Sequence, residues 1–217
     1  MPSMPSHCHT CFALFAVGLL SCTNTAVEPV DHLAASIVGD SLADPSEYPS
    51  TVALTDPLGS TFCSGTLVAP NLVVTAAHCL DWKTPPKIRV VYGHAVPAKA
   101  ESSELLTVSQ IVVHPDYKEG LKGDSDGLAQ ENDIGAVVLE TSVQGGVVAA
   151  IVPGDQIDSE LTPARPIHIV GYGQTDQLDS KSAGTLHKAT TPYERHTTWE
   201  MLAGSPGEPD TCSGDSG

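Results

Sequence analysis

Basic residues are scarce in this 217-residue chain: 10 Lys plus Arg stand against 26 Asp plus Glu, a formal net charge of −16. Such a surface repels a nucleic-acid duplex or an anionic membrane, which argues against nucleic acid as a partner. Two readings of the acidity stay open: it keeps an exported protein soluble, or it attracts basic substrates. Aromatics are also few, at 5% of residues, whereas there are 19 Gly and 17 Pro. Long amphipathic helical patterns are missing, as is any repeat of fixed period. What is present instead is Val in short runs, Leu72-Val73-Val74 and Ile111-Val112-Val113, the mark of short strands joined by turns. The length suffices for one large domain or two small ones with a sizeable core.

The N-terminal segment carries no Lys or Arg, only His7 and His9, ahead of a short apolar run from Phe12 to Leu20. That run is too short to span a bilayer, and residues 1–22 read as a signal peptide. Leu19-Leu20-Ser21-Cys22 also resembles a bacterial lipobox, in which Cys22 would be lipidated; an ordinary signal peptide containing a Cys is the alternative. The chain is therefore expected to be secreted or periplasmic, with membrane contact only through a lipid anchor at Cys22. Residues 23–36 are polar and aperiodic and read as a linker or propeptide. Cys8, Cys11 and Cys22 lie in or beside the leader, where the Cys8-His9-Thr10-Cys11 spacing is incidental. Cys63, Cys79 and Cys212 remain, and an odd number in an exported chain implies a missing partner for one of them.

From Ile37 onward the pattern is strands and turns. Strands are expected at 51–55, 62–68, 72–75, 87–92, 105–113 and 134–140, then at 166–171 and 184–191. Asp56-Pro57-Leu58-Gly59 and Ala69-Pro70-Asn71 have turn chemistry. The stretch from Val143 to Asp158 reads as a crossover between two halves. The whole fits an all-β protein of two small barrels, because closure removes exposed strand edges.

Three motifs carry chemistry. In the first, Cys63-Ser64-Gly65-Thr66-Leu67-Val68 is followed by Leu72-Val73-Val74-Thr75-Ala76-Ala77-His78-Cys79. A strand runs into small residues that allow a tight turn, and a Cys63–Cys79 bridge would fix His78 at the strand end. The second, Glu131-Asn132-Asp133-Ile134-Gly135-Ala136-Val137, sets an Asp at the mouth of an apolar strand. Partly desolvated there, it can orient an imidazole and stabilise its charged form. The third is Asp210-Thr211-Cys212-Ser213-Gly214-Asp215-Ser216-Gly217, where glycines expose a serine hydroxyl and let backbone N–H groups converge on one point.

At these residues, and at Ile37-Val38-Gly39-Asp40, His114-Pro115-Asp116-Tyr117 and Gly171-Tyr172-Gly173-Gln174-Thr175, the chain resembles the chymotrypsin-trypsin family of serine proteases from Ile37 to its end. The resemblance implies a double antiparallel β-barrel and a serine endopeptidase acting on protein or peptide substrates, with no cofactor and no metal. The mechanism it implies belongs to the family's worked template and is carried over onto these positions. His78 is then the general base and acid, Asp133 its orienting partner and Ser216 the nucleophile. The N–H groups of Gly214 and Ser216 form the oxyanion hole. Asp210 floors a pocket for Arg or Lys. Activation frees the α-ammonium of Ile37 to pair with Asp215, through a protease preferring small residues because Ala34-Ala35-Ser36 is not basic.

The pattern departs from the family at several points. The fourth residue of the start is Asp40, the family's extra bridge in the second barrel has no cysteines, with Leu202 near where one would fall, and the loop from Leu186 to Ala203 is short. Glu101 and Glu104 lie near the region where some relatives bind calcium but lack the spacing, and read as solvated surface charges. The sequence stops one residue after Ser216, so the second barrel is expected to be incomplete and the chain inactive alone. The competing reading, a catalytically silent protease-like binding protein or inactive fragment, predicts a lost triad member, and none is lost.

Overall fold

The Val-rich segments fold as antiparallel strands because their buried and exposed positions alternate with the period of two that a pleated chain requires. Gly135, Val137 and Leu139 of one strand face inward while Ala136 and Val138 are only partly buried. The computed structural model describes residues 41–118, 132–175, 182–197, 200–204 and 215–217.

Six strands close into a barrel. They are β2 (Thr51–Thr55), β3 (Thr61–Ala69), β4 (Leu72–Thr75), β5 (Arg89–Tyr92), β6 (Leu106–Val113) and β7 (Gly135–Leu139). Their order around the barrel is β2-β3-β4-β7-β6-β5, so the last strand in sequence inserts between β4 and β6. Val52, Leu54, Leu67, Val73, Val90 and Val137 fill the interior with no exposed surface. Fully burying each such side chain contributes roughly 1.5–3 kcal/mol.

A second sheet is built around β9 (His187–His196). Its first half pairs with β8 (Pro166–Gly171) and with the short β1 (Ser41–Leu42), and its second half with β10 (Met201–Ala203). Among the described residues this sheet has four strands and is not closed. The all-β expectation holds: among the described residues there is one closed barrel, and helices are limited to single turns, the longest being α1 (Ile157–Glu160) in the crossover. A second apolar cluster lies between the two sheets. Ala53 of β2 and Val91 of β5 point out of the barrel and meet Ala43, Tyr172 and Leu186. The Tyr172 phenol is buried there, donates to the His94 carbonyl at 2.8 Å, and is pushed above its ordinary pKa by that burial.

Most strand expectations match within two residues. The stretch 87–92 starts late, because Pro85–Lys87 forms a turn of 3-10 helix before the chain extends. The strand expected at 184–191 instead runs from His187 to His196, since Gly184 has a φ of 96° that breaks the extended chain. The segments expected to be a signal peptide (1–22) and a linker or propeptide (23–36) lie outside the described residues, as does Ile37.

Candidate active site

β4 ends at Thr75, and the chain turns through Ala76 into one turn of 3-10 helix, Ala77–Cys79. Ala77 is fully buried, so a larger side chain would not fit beneath the turn. Cys79 is bonded to Cys63 of β3, with 6.2 Å between the Cα atoms. The turn is thereby clamped at both ends, to β4 through the chain and to β3 through sulfur. His78 lies between the clamps with 40% of its side chain exposed.

Asp133 reaches the same place from β7. Thr75 and Gly135 are register partners, so the end of β4 and the start of β7 lie side by side. Before Gly135, Asn132 adopts a φ of 64°, and the Ile134 N–H donates to the Asn132 carbonyl at 2.7 Å. Asn tolerates this left-handed conformation better than most residues. The resulting tight turn presents Asp133 to the histidine. Its Oδ1 accepts the His78 backbone N–H at 2.8 Å, and its Oδ2 lies 2.7 Å from His78 Nδ1. The carboxylate is only 18% exposed. A carboxylate against Nδ1 favours the tautomer that leaves Nε2 able to take up a proton.

Ser216 lies against the same turn. Its carbonyl oxygen accepts the Ser64 N–H at 2.9 Å and stands 3.7 Å from Cys79 Sγ. No hydrogen bond joins Ser216 Oγ to His78 among the described residues; in unliganded sites such bonds are often long and tighten with substrate. Next to it, Asp215 is buried, and its Oδ1 accepts the Gly173 N–H at 2.8 Å. Gly173 has to be glycine at this close approach, because a Cβ would stand 2.6 Å from the Asp215 backbone nitrogen.

The histidine held by a carboxylate, with Ser216 against the same turn on a closed six-stranded barrel, lies in a chain that has relatives among known proteins. The trypsin family model matches residues 37–217. The chain belongs to the trypsin family. A trypsin of Saccharopolyspora erythraea is 38% identical over 196 residues, covering 83% of this chain and 79% of that protein. A chymotrypsin-like elastase family member 1 of Macaca fascicularis is 31% identical over 225 residues, 95% of this chain and 80% of its own length. Among solved structures, the secreted serine protease VesC from Vibrio cholerae superposes with a TM-score of 0.63 at 25% identity, over 81% of this chain and 39% of that one. As a member of the trypsin family the chain is a serine endopeptidase, a hydrolase with protein or peptide substrates.

Of the residues singled out in this trypsin-family sequence, the structure brings together His78, Asp133, Asp215, Ser216 and the Cys63–Cys79 bridge. Ile37, Asp210, Cys212 and Gly214 lie outside the described residues. Cys63, His78 and Cys79 also form a compact group of metal-ligating types, but both sulfurs are spent in the disulfide and offer no thiolate. Glu101 and Glu104 cap one turn of 3-10 helix reciprocally, and Glu104 Oε1 pairs with His94 Nε2 at 3.2 Å. No helix among the described residues is long and apolar enough to cross a membrane.

Sequence reasoning missed Ser64, Thr75 and Gly135. Ser64 and Thr75 stand inside the quoted motifs, but their partners are distant in sequence. Tyr172 N–H donates to Ser64 Oγ across a separation of 108 residues. The available signal was the small polar residue between Cys63 and Gly65, and it did not say what that residue would bind.

Proposed function

We propose that this trypsin-family protein hydrolyses peptide bonds through an acyl-enzyme, with His78, Asp133 and Ser216 acting as one unit. The observation that carries this reading is the two-point hold of Asp133 on His78, through the backbone N–H and through Nδ1. A histidine so held keeps its ring orientation while Nε2 takes the Ser216 proton and later returns it to the leaving amine. Asp133 stabilises the imidazolium that forms between those steps. Ser216 Oγ bonds to the substrate carbonyl carbon and the carbonyl oxygen gains negative charge; collapse breaks the C–N bond to leave the acyl-enzyme, and a water deprotonated by His78 then releases the acid and restores Ser216. The N–H groups of Gly214 and Ser216 would receive that charge; losing one such donor costs about 2.7–4 kcal/mol in the transition state.

Asp210, six residues before Ser216 in the sequence, would floor the primary pocket and pair with Arg or Lys of the substrate. The family resemblance supports that placement. Cleavage after Ser36 would free the Ile37 α-ammonium to pair with Asp215. Breaking a buried pair of this kind by removing one partner costs about 3–5 kcal/mol, enough to shift a zymogen equilibrium. Export is favoured by the disulfide, which persists in oxidising compartments.

The deciding experiment is fluorophosphonate labelling of the full-length protein beside its Ser216→Ala variant. Labelling confined to the parent, with turnover reduced about 10⁶-fold in the variant, is expected. Near-normal turnover in Ser216→Ala would refute the assignment. Equal rates on Arg and Phe substrates would refute the role of Asp210, and full activity with residue 36 still attached would refute the activation step.

A further inference from the structure

We propose that the Ser64 hydroxyl is a positioning group for Ser216, acting through a closed circuit of hydrogen bonds beneath the nucleophile; the proposal rests on Ser216 being the nucleophile. Ser64 is 1% exposed, midway along β3. β4 pairs with β3 from Thr66 to Ala69, and Ser64 lies just beyond that register with its N–H and C=O on the side of the site. Both are taken up by the site. The Ser64 N–H donates to the Ser216 carbonyl at 2.9 Å, and the Ser64 carbonyl accepts Thr75 Oγ1 at 2.8 Å. The hydroxyl oxygen accepts the Tyr172 N–H at 2.9 Å.

These bonds join into a circuit. From Ser64 it runs to Ser216, along the chain to Asp215, across to Gly173 through its N–H at 2.8 Å, along the chain to Tyr172, and back to Ser64 Oγ. Gly217 completes the fit, since a Cβ there would overlap the Ser64 carbonyl and stand 2.7 Å from Thr75 Oγ1. The circuit ties three separate pieces of chain: β3, the exit of β8 and the nucleophile turn. All three cross-links use backbone N–H donors; two of them end on the Ser216 carbonyl and the Asp215 carboxylate, which other roles require, and the third ends on the Ser64 hydroxyl. Ser64→Ala removes that third acceptor and leaves every backbone group in place.

Without it the buried Tyr172 N–H loses its acceptor, and the Gly171–Gly173 segment no longer anchors Asp215 and Ser216 to the barrel. The nucleophile and its N–H group then sample wrong positions. Misplacement of this sort acts on the chemical step and leaves substrate affinity largely untouched. In Ser64→Ala, kcat is expected to fall about ten- to a hundredfold, with KM within about twofold of the parent. A peptide boronate, whose boron accepts a bond from Ser216 Oγ, should weaken by the same factor as kcat, because its tetrahedral adduct needs the same geometry.

The test measures kcat, KM and boronate affinity on the full-length protein, each variant well below its own Tm. Val90→Ala serves as a control in the barrel core away from the circuit, and is expected to lower Tm with kcat unchanged. Where Ser64→Ala yields no folded protein, Ser64→Gly, which lets a water reach Tyr172 N, reads the same constants. An unchanged kcat in the folded hydroxyl-less variant overturns the proposal, as does an equal kcat loss in Val90→Ala. Failure of both Ser64 variants to fold overturns it in favour of a purely structural role. Ser216→Ala is run alongside. Activity retained there refutes the nucleophile reading, whereas its loss together with normal kcat in Ser64→Ala refutes this inference alone.

Discussion

Gly135 on β7 lies against Leu80, just past the His78 turn, with no room for a side chain between them: a Cβ on Gly135 would stand 2.8 Å from Leu80 Cδ1 and 3.0 Å from the Val112 carbonyl oxygen. Leu80 itself has 1% of its surface exposed and cannot swing out. Gly135→Val should therefore overpack the strand and push the histidine turn away from Asp133. A loss of about 1–3 kcal/mol in stability is expected. Activity should fall more than stability alone explains, because the His78–Asp133 distance changes. Thermal unfolding and kcat measured on one preparation check both; an unchanged Tm would contradict the packing.

Asn132 sets the turn before Asp133 with a φ of 64°. Glycine adopts that conformation without penalty, and a β-branched residue does not. Asn132→Gly should keep near-parental activity. Asn132→Val should lose about 1–3 kcal/mol and most of its turnover. Equal behaviour of the two variants in unfolding and kinetics would show that the backbone conformation is unimportant.

The Cys63–Cys79 bridge spans a sequence separation of 16. Closing a loop of about that length in the unfolded chain is worth about 3 kcal/mol. The double variant Cys63→Ala, Cys79→Ala should unfold at correspondingly lower denaturant concentration. It should also lose activity at temperatures where the rest of the barrel is intact, since the His78 turn loses one of its two clamps. Denaturant titration with far-ultraviolet circular dichroism gives the first number.

Tyr172 links stability to pH. Its phenol is held above its ordinary value of 10.0 by burial. Above about pH 10 the unfolded chain loses this proton while the folded chain keeps it, so the folded state binds more protons and stability falls as pH rises. The contribution is fully present below the ordinary value and is lost as pH climbs toward the folded one. The slope from this group is at most about 1.4 kcal/mol per pH unit. Tyr172→Phe removes that slope and also costs about 1 kcal/mol at neutral pH through the lost bond to the His94 carbonyl. Denaturant titrations of parent and variant from about pH 8 to pH 11 read the difference; parallel curves would contradict it.

Much of this was legible in the sequence because it is local. The strand at Thr51–Thr55 and the strand at Leu72–Thr75 match their expected limits, since alternation and flanking turns are written within a few residues. Asp133 beside His78 was reachable only through the family resemblance, because the register between β4 and β7 depends on closing the barrel. Ser64 was legible only as a small polar residue between Cys63 and Gly65. Thr75, Tyr172 and Ser216 are brought to it by β4, the exit of β8 and the segment at Ser216, which no local pattern announces. The short β1 and β10 were likewise missed, since strands of 2 and 3 residues carry no periodicity.

The insertion of β7 between β4 and β6 has a consequence for the order in which the molecule comes alive. His78 leaves the ribosome early, with every residue of its own turn, yet nothing beside it can steer its proton. Its partner is 55 residues downstream and arrives only when β7 slides into the last gap of the barrel. Contacts of such sequence separation form late, after loop-closure entropy has been overcome. A half-made chain therefore holds an imidazole without its carboxylate, and the His78–Asp133 pair is put together by the same event that closes the barrel.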